Sequence, residues 1–411
     1  SNFDIYSKRH YVSTFSKVMM TMKMFMDKKA GRLNTKKDIT QNPLVNLEGW
    51  QAMKTVGVIG SGIGGLSASI RLASKGYKVT VFEKNSCPGG KVSSLNFDGF
   101  RFDTGPSLLT MKDVIEDLFK EAGENINDFV KIKKLDILCR YFYDDGSIIN
   151  AYSDFNKFCT EIETKTKDDS ESIAKYFSYT KKIYDVTKDV FLYNTYKGLK
   201  SLLKPEALKT LFQIHKIDSF RTMHESNGKF FSDDKLIKMF DRYATYNGSS
   251  PYLAPATLNL ISHVENSLGG YYLSKGMLGL SDALYKLAVN KNVEFRFNEE
   301  ITSLELAGNK IATLNSEKGT YVFDFYVSNL DALSINTKFF GFSQDRIDDR
   351  LLSTSAMVFY WGMNDVFPEL ETHNIIFAKD YEKEFENLFE HKIITEDLTI
   401  YIYVSSKFNK G

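Results

Sequence analysis

Apolar and polar positions follow three different rhythms along this chain. Residues 55–60 are a β-branched apolar run ending on a glycine, the pattern of a strand buried on both faces. Residues 66–74 place Leu66, Ile70 and Ala73 on one helical face, Gly76 closes that helix, and residues 78–82 form a second apolar run. Together they predict a βαβ unit of about 30 residues. Residues 155–245 carry a mostly helical pattern rich in Lys, Tyr and Phe. From 293 to 331 the rhythm becomes that of short strands: VEFRF, EITSLEL, KIATLN and TYVFDFYVSN, with Gly308-Asn309 as a hairpin turn. Residues 355–363 and 398–405 again read as strands. A βαβ start, a helical middle and a return to strands predict one domain split in sequence by another.

Composition narrows the classes. The chain has 411 residues, room for two or three domains, with 43% hydrophobic and 26% charged residues, a normal globular balance. A net charge of +1 gives no case for a nucleic-acid partner. Cys87, Cys139 and Cys159 form no CxxC pair and the six histidines are dispersed, so neither a disulfide framework nor a metal is expected. No apolar run approaches the roughly 18 residues of a membrane span, so a soluble or peripheral protein is expected. Residues 1–52 hold nine Lys/Arg against four Asp/Glu and the cluster KVMMTMKMFM. They read as a disordered extension or as a basic apolar segment lying on a membrane. Met53 reads as the natural start.

The candidate chemistry sits in the βαβ unit. Gly60, Gly62 and Gly65 form G-x-G-x-x-G between the first strand and the helix. The first glycine permits the tight turn, the second lets the backbone approach a pyrophosphate, and the third lets helix pack on strand. The helix N-terminus then faces the anion. Glu83 follows at the end of the second strand, where a carboxylate accepts hydrogen bonds from a ribose diol. This pattern alone does not choose between NAD and FAD. A second glycine turn, CPGGK at 87–91, and then FRFDTGPS at 100–107 favour the longer flavin cofactor, with Lys91 or Arg101 as contacts to phosphate or to the flavin's pyrimidine edge.

The combination of GSGIGGLSASIRLASKGYKVTVFEKN, PGGKV and GFRFDTGPSLLT resembles the FAD-dependent carotenoid desaturases of the phytoene desaturase type, within the flavoprotein class that includes amine oxidases. FDRYATYNGSSPYLAPATLNLI, GGYYLSKGMLGLSDAL and the region from VEFRFNEEI to YVSNLD agree with it, so the resemblance covers about residues 53–411. It implies an α/β fold: a Rossmann-like FAD-binding domain (53–130 and 269–331) interleaved with an α+β substrate domain (131–268 and 332–411) carrying a helical insertion. It implies FAD held by Gly60, Ser61, Gly62, Gly64, Gly65, Glu83, Lys84, Gly90, Lys91, Asp103, Gly105 and Pro106, with a backbone contact to the adenine at Val293. It also implies an apolar tunnel for a polyene, and hydride transfer from a C–C bond to flavin. The family's glycine- and proline-rich closing stretch does not appear before Gly411, so a chain short of the family's C-terminal part is expected.

Phytoene is the first substrate this reading suggests. A hydroxycarotenoid 3,4-desaturase is the alternative, favoured by RYATYNGSSPY and VFYWGMN. An amine oxidase, a non-catalytic isoprenoid-binding protein and an inactive fragment stand as rivals. No catalytic base stands out; Asp218 and Arg221 are candidates more readily read as a surface ion pair at i, i+3, and His263 reads as a core histidine. The basic aromatic stretch 190–216 reads either as a surface docking on the inner face of the cytoplasmic membrane or as a packed helix pair.

Overall fold

The computed structural model describes residues 53–188, 217–342 and 354–408. The extension 1–52 and the basic aromatic stretch 190–216 lie outside the described residues.

The chain enters as β1 (Thr55–Ile59), α1 (Ile63–Ser74) and β2 (Lys78–Phe82), then forms a hairpin of β3 (Ser94–Phe97) and β4 (Phe100–Asp103). Next come α2 (Lys112–Glu121), β5 (Ile132–Lys134), β6 (Ile137–Phe142), β7 (Ile148–Tyr152), α3 (Phe155–Lys165) and α4 (Ser170–Thr187). Helices α5 (Met223–Asn227), α6 (Asp234–Asp241) and α7 (Leu260–His263) precede β8 (Tyr271–Leu273) and α8 (Leu278–Asn290). After β9 (Glu294–Arg296) the chain forms β10 (Ile301–Ala307), β11 (Lys310–Ser316), β12 (Gly319–Tyr321), β13 (Phe325–Ser328) and α9 (Ala332–Phe340). It ends with β14 (His373–Ile376), α10 (Tyr381–Glu386) and β15 (Ile400–Tyr403).

Two compact units share these elements. One holds residues 53–90 and 284–342; the other holds the described residues of 91–283 and 343–411. The breaks thus fall at 90/91, 283/284 and 342/343. The stretch 91–130 goes with the second unit because Leu109 exchanges both backbone hydrogen bonds with Tyr271.

The first unit is a parallel sheet in the order β13-β1-β2-β9, with the antiparallel meander β10-β11-β12. Its neighbours β13 and β2 flank β1, so the order reverses there, the place where open α/β sheets bind ligands at the strands' carboxyl ends. Val56, Val58, Val79, Val81 and Phe82 are almost fully buried, as a two-sided sheet requires. Helix α1 starts at Ile63, three residues before the periodicity shows it, because Gly64 and Gly65 carry no apolar signal.

The second unit is built on a mixed sheet in the order β15-β14-β6-β7, parallel only between β14 and β6. Tyr141, Tyr176, Tyr243, Phe158 and Phe240 are fully buried in its core. The expected strand at 355–363 is not one: the segment pairs with no strand among the described residues, and Met357 and Trp361 are 77% and 74% exposed. It runs instead over the β3–β4 hairpin, where Tyr360 packs on Phe102 at 5.5 Å. Apolar alternation sets which side chains share a face; a ladder also needs a partner edge.

Candidate functional site

The glycine loop closes the carboxyl end of β1. Gly60 has φ +91°, open to glycine at little cost, and its N–H bonds to Phe82 O of the neighbouring strand. A Cβ on Gly65 would lie 2.0 Å from Gly60 O, and one on Gly62 2.8 Å from Asn329 Nδ2. Gly65 therefore excludes a side chain, as close helix–strand packing requires, whereas one at Gly62 would displace the Asn329 amide. Gly64 sits in the first turn of α1. Gly62 caps that helix with no side-chain hydrogen bond and no acidic residue follows in the first turn, which leaves the helix N-terminus to an anion.

Glu83 lies just beyond β2 and is 5% exposed. Its Oε2 accepts from Ser61 N at 2.8 Å and from Ser61 Oγ at 2.7 Å, and its Oε1 accepts from Asn85 N at 3.0 Å. A carboxylate has about four acceptor sites, so these bonds aim it at the loop and still leave it capacity for a ribose hydroxyl. The second glycine turn docks on the first: Gly89 N donates to Ser61 O at 2.9 Å, and a Cβ on Gly90, at φ +60°, would stand 3.1 Å from Gly62 Cα. Exposed Lys84 follows Glu83 directly. The unit thus gathers Gly60, Ser61, Gly62, Gly64, Gly65, Glu83 and Gly90 at one end of its sheet. A dinucleotide such as FAD fits this cradle: the uncapped helix end would take the pyrophosphate and Glu83 the ribose.

Val293 is placed differently from its expected role. It is buried before β9, its N–H is taken by Ala288 O, and in the parallel register Thr80 faces Glu294 while Phe82 faces Arg296. The β9 residue level with the carboxyl end is Arg296, whose carbonyl accepts from Glu83 N at 2.9 Å. The sequence reading also missed Asn329. It follows β13, its N–H bonds to Ile59 O, and its side chain stands against Gly60, Gly62 and Gly65 from the side opposite β2. Its signal was present: a polar residue closing the apolar run FYVSN.

The remaining cofactor candidates belong to the second unit. The Asp103 side chain is 2% exposed, and its Oδ2 accepts from Met277 N at 3.1 Å, just ahead of α8. Burial raises its pKa above the ordinary carboxylate value, opposed by the Met277 bond and by Arg101. Arg101 donates to Lys275 O at 3.0 Å and lies 3.8 Å from Asp103, so its guanidinium is engaged within its own unit. A Cβ on Gly105 would stand 1.9 Å from the carbonyl oxygen of Lys91, so the chain after β4 passes close against the chain before β3; Lys91 and Pro106 are exposed.

Asp218 and Arg221 do form their pair, through Nε at 2.9 Å and Nη2 at 2.5 Å. The pair is half-buried rather than fully exposed, the Arg221 side chain being 34% exposed. The Asp218 side chain is 12% exposed and also accepts from Tyr179 at 2.6 Å and Ser226 at 3.3 Å. Burial would raise its pKa, but the bonds from Arg221 and Tyr179 outweigh that and hold the carboxyl below its ordinary value. A carboxylate so satisfied is a poor proton acceptor, and the cluster anchors α4 to α5. His263 is buried, its ring tilted at 44° against that of Tyr184 at 5.0 Å, and its pKa is lowered by burial. With Phe155, Phe177, Leu268 and Lys181 it lines an open groove of about 1000 Å³.

A second polar cluster of this unit had no sequence signature beyond RYATYN. Arg242 and Glu265, 7% and 1% exposed, pair at 2.5 Å. Tyr141 bonds to Arg242, Tyr243 and Tyr246 donate to Glu265, and Asn266 donates to Tyr243. Every charge there is matched, as burial demands.

A family model described as "Flavin containing amine oxidoreductase" matches residues 63–341. The chain is 38% identical over 360 residues to 1-hydroxycarotenoid 3,4-desaturase of Flavobacterium sp. (strain P99-3), spanning 86% of this chain and 73% of that protein. It is 32% identical over 354 residues to 4,4'-diapolycopene oxygenase of Methylomonas sp, 85% and 71% of the two chains. It is 30% identical over 361 residues to 4,4'-diaponeurosporene oxygenase of Staphylococcus haemolyticus (strain JCSC1435), 87% and 72%. Among solved structures, an oxidoreductase from Methanosarcina mazei aligns with a TM-score of 0.50 at 18% identity, over 72% of this chain and 64% of that one, a likeness of fold.

Proposed function

Since the chain belongs to the flavin-containing amine oxidoreductase family, alongside carotenoid desaturases and oxygenases, we propose that it desaturates a hydroxyl-bearing carotenoid. The identity of 38% over 360 residues to a 1-hydroxycarotenoid 3,4-desaturase carries this reading. It moves the hydroxycarotenoid ahead of phytoene, which the sequence suggested first.

The cofactor is FAD, which supplies a two-electron acceptor for two hydrogens leaving neighbouring carbons. The protein's part is binding and orientation. Ser61 fixes the Glu83 carboxylate toward the loop, Gly62 and Gly65 keep the loop clear of side chains, and the uncapped start of α1 offers N–H groups to phosphate. The reading includes peripheral attachment at the cytoplasmic face of a membrane, because carotenoids partition into bilayers. No helix among the described residues is long and apolar enough to cross one.

The test is conversion by the full chain loaded with FAD, offered a 1-hydroxylated carotenoid and phytoene separately, with products read by mass. Loss of two hydrogens from the hydroxylated compound is expected. Relatives named as oxygenases support a second reading, and a gain of oxygen would select it. A flavin-loaded chain that converts neither compound overturns both.

A further inference from the structure

The second unit contains a buried polar pair that its own hydrogen bonds leave unfinished. His373 on β14 is 3% exposed and lies in register with Tyr403 on β15. Their rings stack at 5.3 Å and 21°. His373 Nδ1 is bonded to Tyr401 OH at 2.7 Å, and Tyr401 OH to Ser107 Oγ at 2.5 Å, which fixes the imidazole. The other ring nitrogen, Nε2, is buried without a partner, and so is the Tyr403 hydroxyl.

The surroundings narrow what the pair can take. On the same sheet face the register continues through Cys139 and Tyr141 of β6 to Ile149 and Ala151 of β7. The charges that reach the pair come in opposite couples: Arg242 and Glu265 act on His373, and Asp103 and Arg101, 3.8 Å apart, act on Tyr403. Burial holds the His373 pKa down at about 4, so the ring is neutral, with Glu265 and Arg242 acting on it in opposite senses. A neutral imidazole and a phenol side by side offer no counter-charge to an ion. They offer one donor or acceptor each, which a hydroxyl, both donor and acceptor, satisfies. A hydrocarbon placed there would leave both groups unsatisfied, at the usual cost of buried polar atoms.

We propose that His373 Nε2 and the Tyr403 hydroxyl together form a specificity site that recognises a hydroxyl group on the carotenoid. This rests on the proposed function and deepens it by naming the part of the substrate that is read. The site is a positioning one: it selects the ligand and takes no part in removing hydrogen.

The experiment is a binding titration of the flavin-loaded full chain in detergent, following quenching of protein fluorescence. The two probes are a hydroxylated carotenoid and its hydrocarbon counterpart of equal chain length. The expected result is tighter binding of the hydroxylated probe by about tenfold or more, the discrimination a buried hydrogen-bonding site gives. Tyr403→Phe, which deletes one oxygen, and His373→Phe, which removes both ring nitrogens, should each bring the two affinities within about threefold and leave hydrocarbon binding in place. Tyr403→Phe keeps the test decisive where His373→Phe fails to fold. Equal binding of both probes by the unaltered chain would mean the pair holds an ordered water only, overturning the specificity site and sparing the desaturase reading. Discrimination that persists in both variants overturns it as well. Failure of the unaltered chain to bind either probe, with flavin retained, removes the desaturase reading and the site with it.

Discussion

At the scale of single residues, two positions carry consequences that can be measured separately. Gly65 is held by sterics: any Cβ would fall 2.0 Å from Gly60 O, far inside van der Waals contact. Gly65→Ala must push α1 away from the end of β1. Such overpacking costs about 1–3 kcal/mol, and it should also lower flavin content, read as flavin released on denaturation per mole of chain. A variant retaining its full flavin and its urea midpoint would show that the loop tolerates the side chain. His373 gives a pH dependence. Its folded pKa, about 4, lies below the ordinary histidine value, so between the two the unfolded chain binds the extra proton. Stability contributed by the neutral ring is present above about pH 6.5 and is lost as pH falls toward 4. The exposed side of His224, raised by its bond to Asp241, works in the opposite sense. The clean measurement is therefore the stability of the unaltered chain relative to His373→Phe, which should fall as pH drops through this window. A difference constant from pH 7 to 4 would contradict it.

At the scale of elements, the basic aromatic stretch 190–216 belongs to the membrane question. It holds Lys197, Lys200, Lys204 and Lys209 among apolar and aromatic side chains. A lysine near an anionic bilayer contributes about 1 kcal/mol, so reversing four of these charges should weaken co-sedimentation with anionic liposomes by well over tenfold. Unchanged co-sedimentation would leave the packed-helix reading. Elements also show what the sequence made legible. The βαβ unit was readable because its signals are local: β-branched runs, glycines at fixed spacing and an acidic residue at a strand end. The same holds for the family, whose motifs lie within 60–110 and 240–331. The strand at 355–363 was misread because its alternation says nothing about a partner edge. Asn329 and the His373–Tyr403 pair escaped notice for a related reason. Each acts only through a neighbour far along the chain, Gly62 in one case and a registered strand in the other. Val293 marks the limit of strand reading: the strand was found, but which of its ends lies beside Glu83 depends on register.

At the scale of the molecule, the unit with the glycine loop is assembled from two stretches of chain, 53–90 and 284–342. Its central strand β1 pairs with β2 on one side and with β13, about 270 residues on, on the other. A ligand in the loop therefore touches structure supplied by both stretches. Ligand binding stabilises the folded state by mass action, about 2.7 kcal/mol at a hundredfold excess over Kd, and that stabilisation appears as slowed amide exchange wherever local opening would release the ligand. FAD should thus slow exchange around Gly60–Gly65 and Glu83, and equally around Ser328 and Asn329, while the meander β10–β12 changes little. Hydrogen exchange read by mass spectrometry on the flavin-loaded and flavin-free chain makes the comparison. Protection confined to the first stretch would mean that Asn329 supports the loop without sharing in the ligand's grip. Protection at both would mean that the last residues of β13 are part of the cradle, and that the cofactor itself joins two segments that the sequence holds far apart.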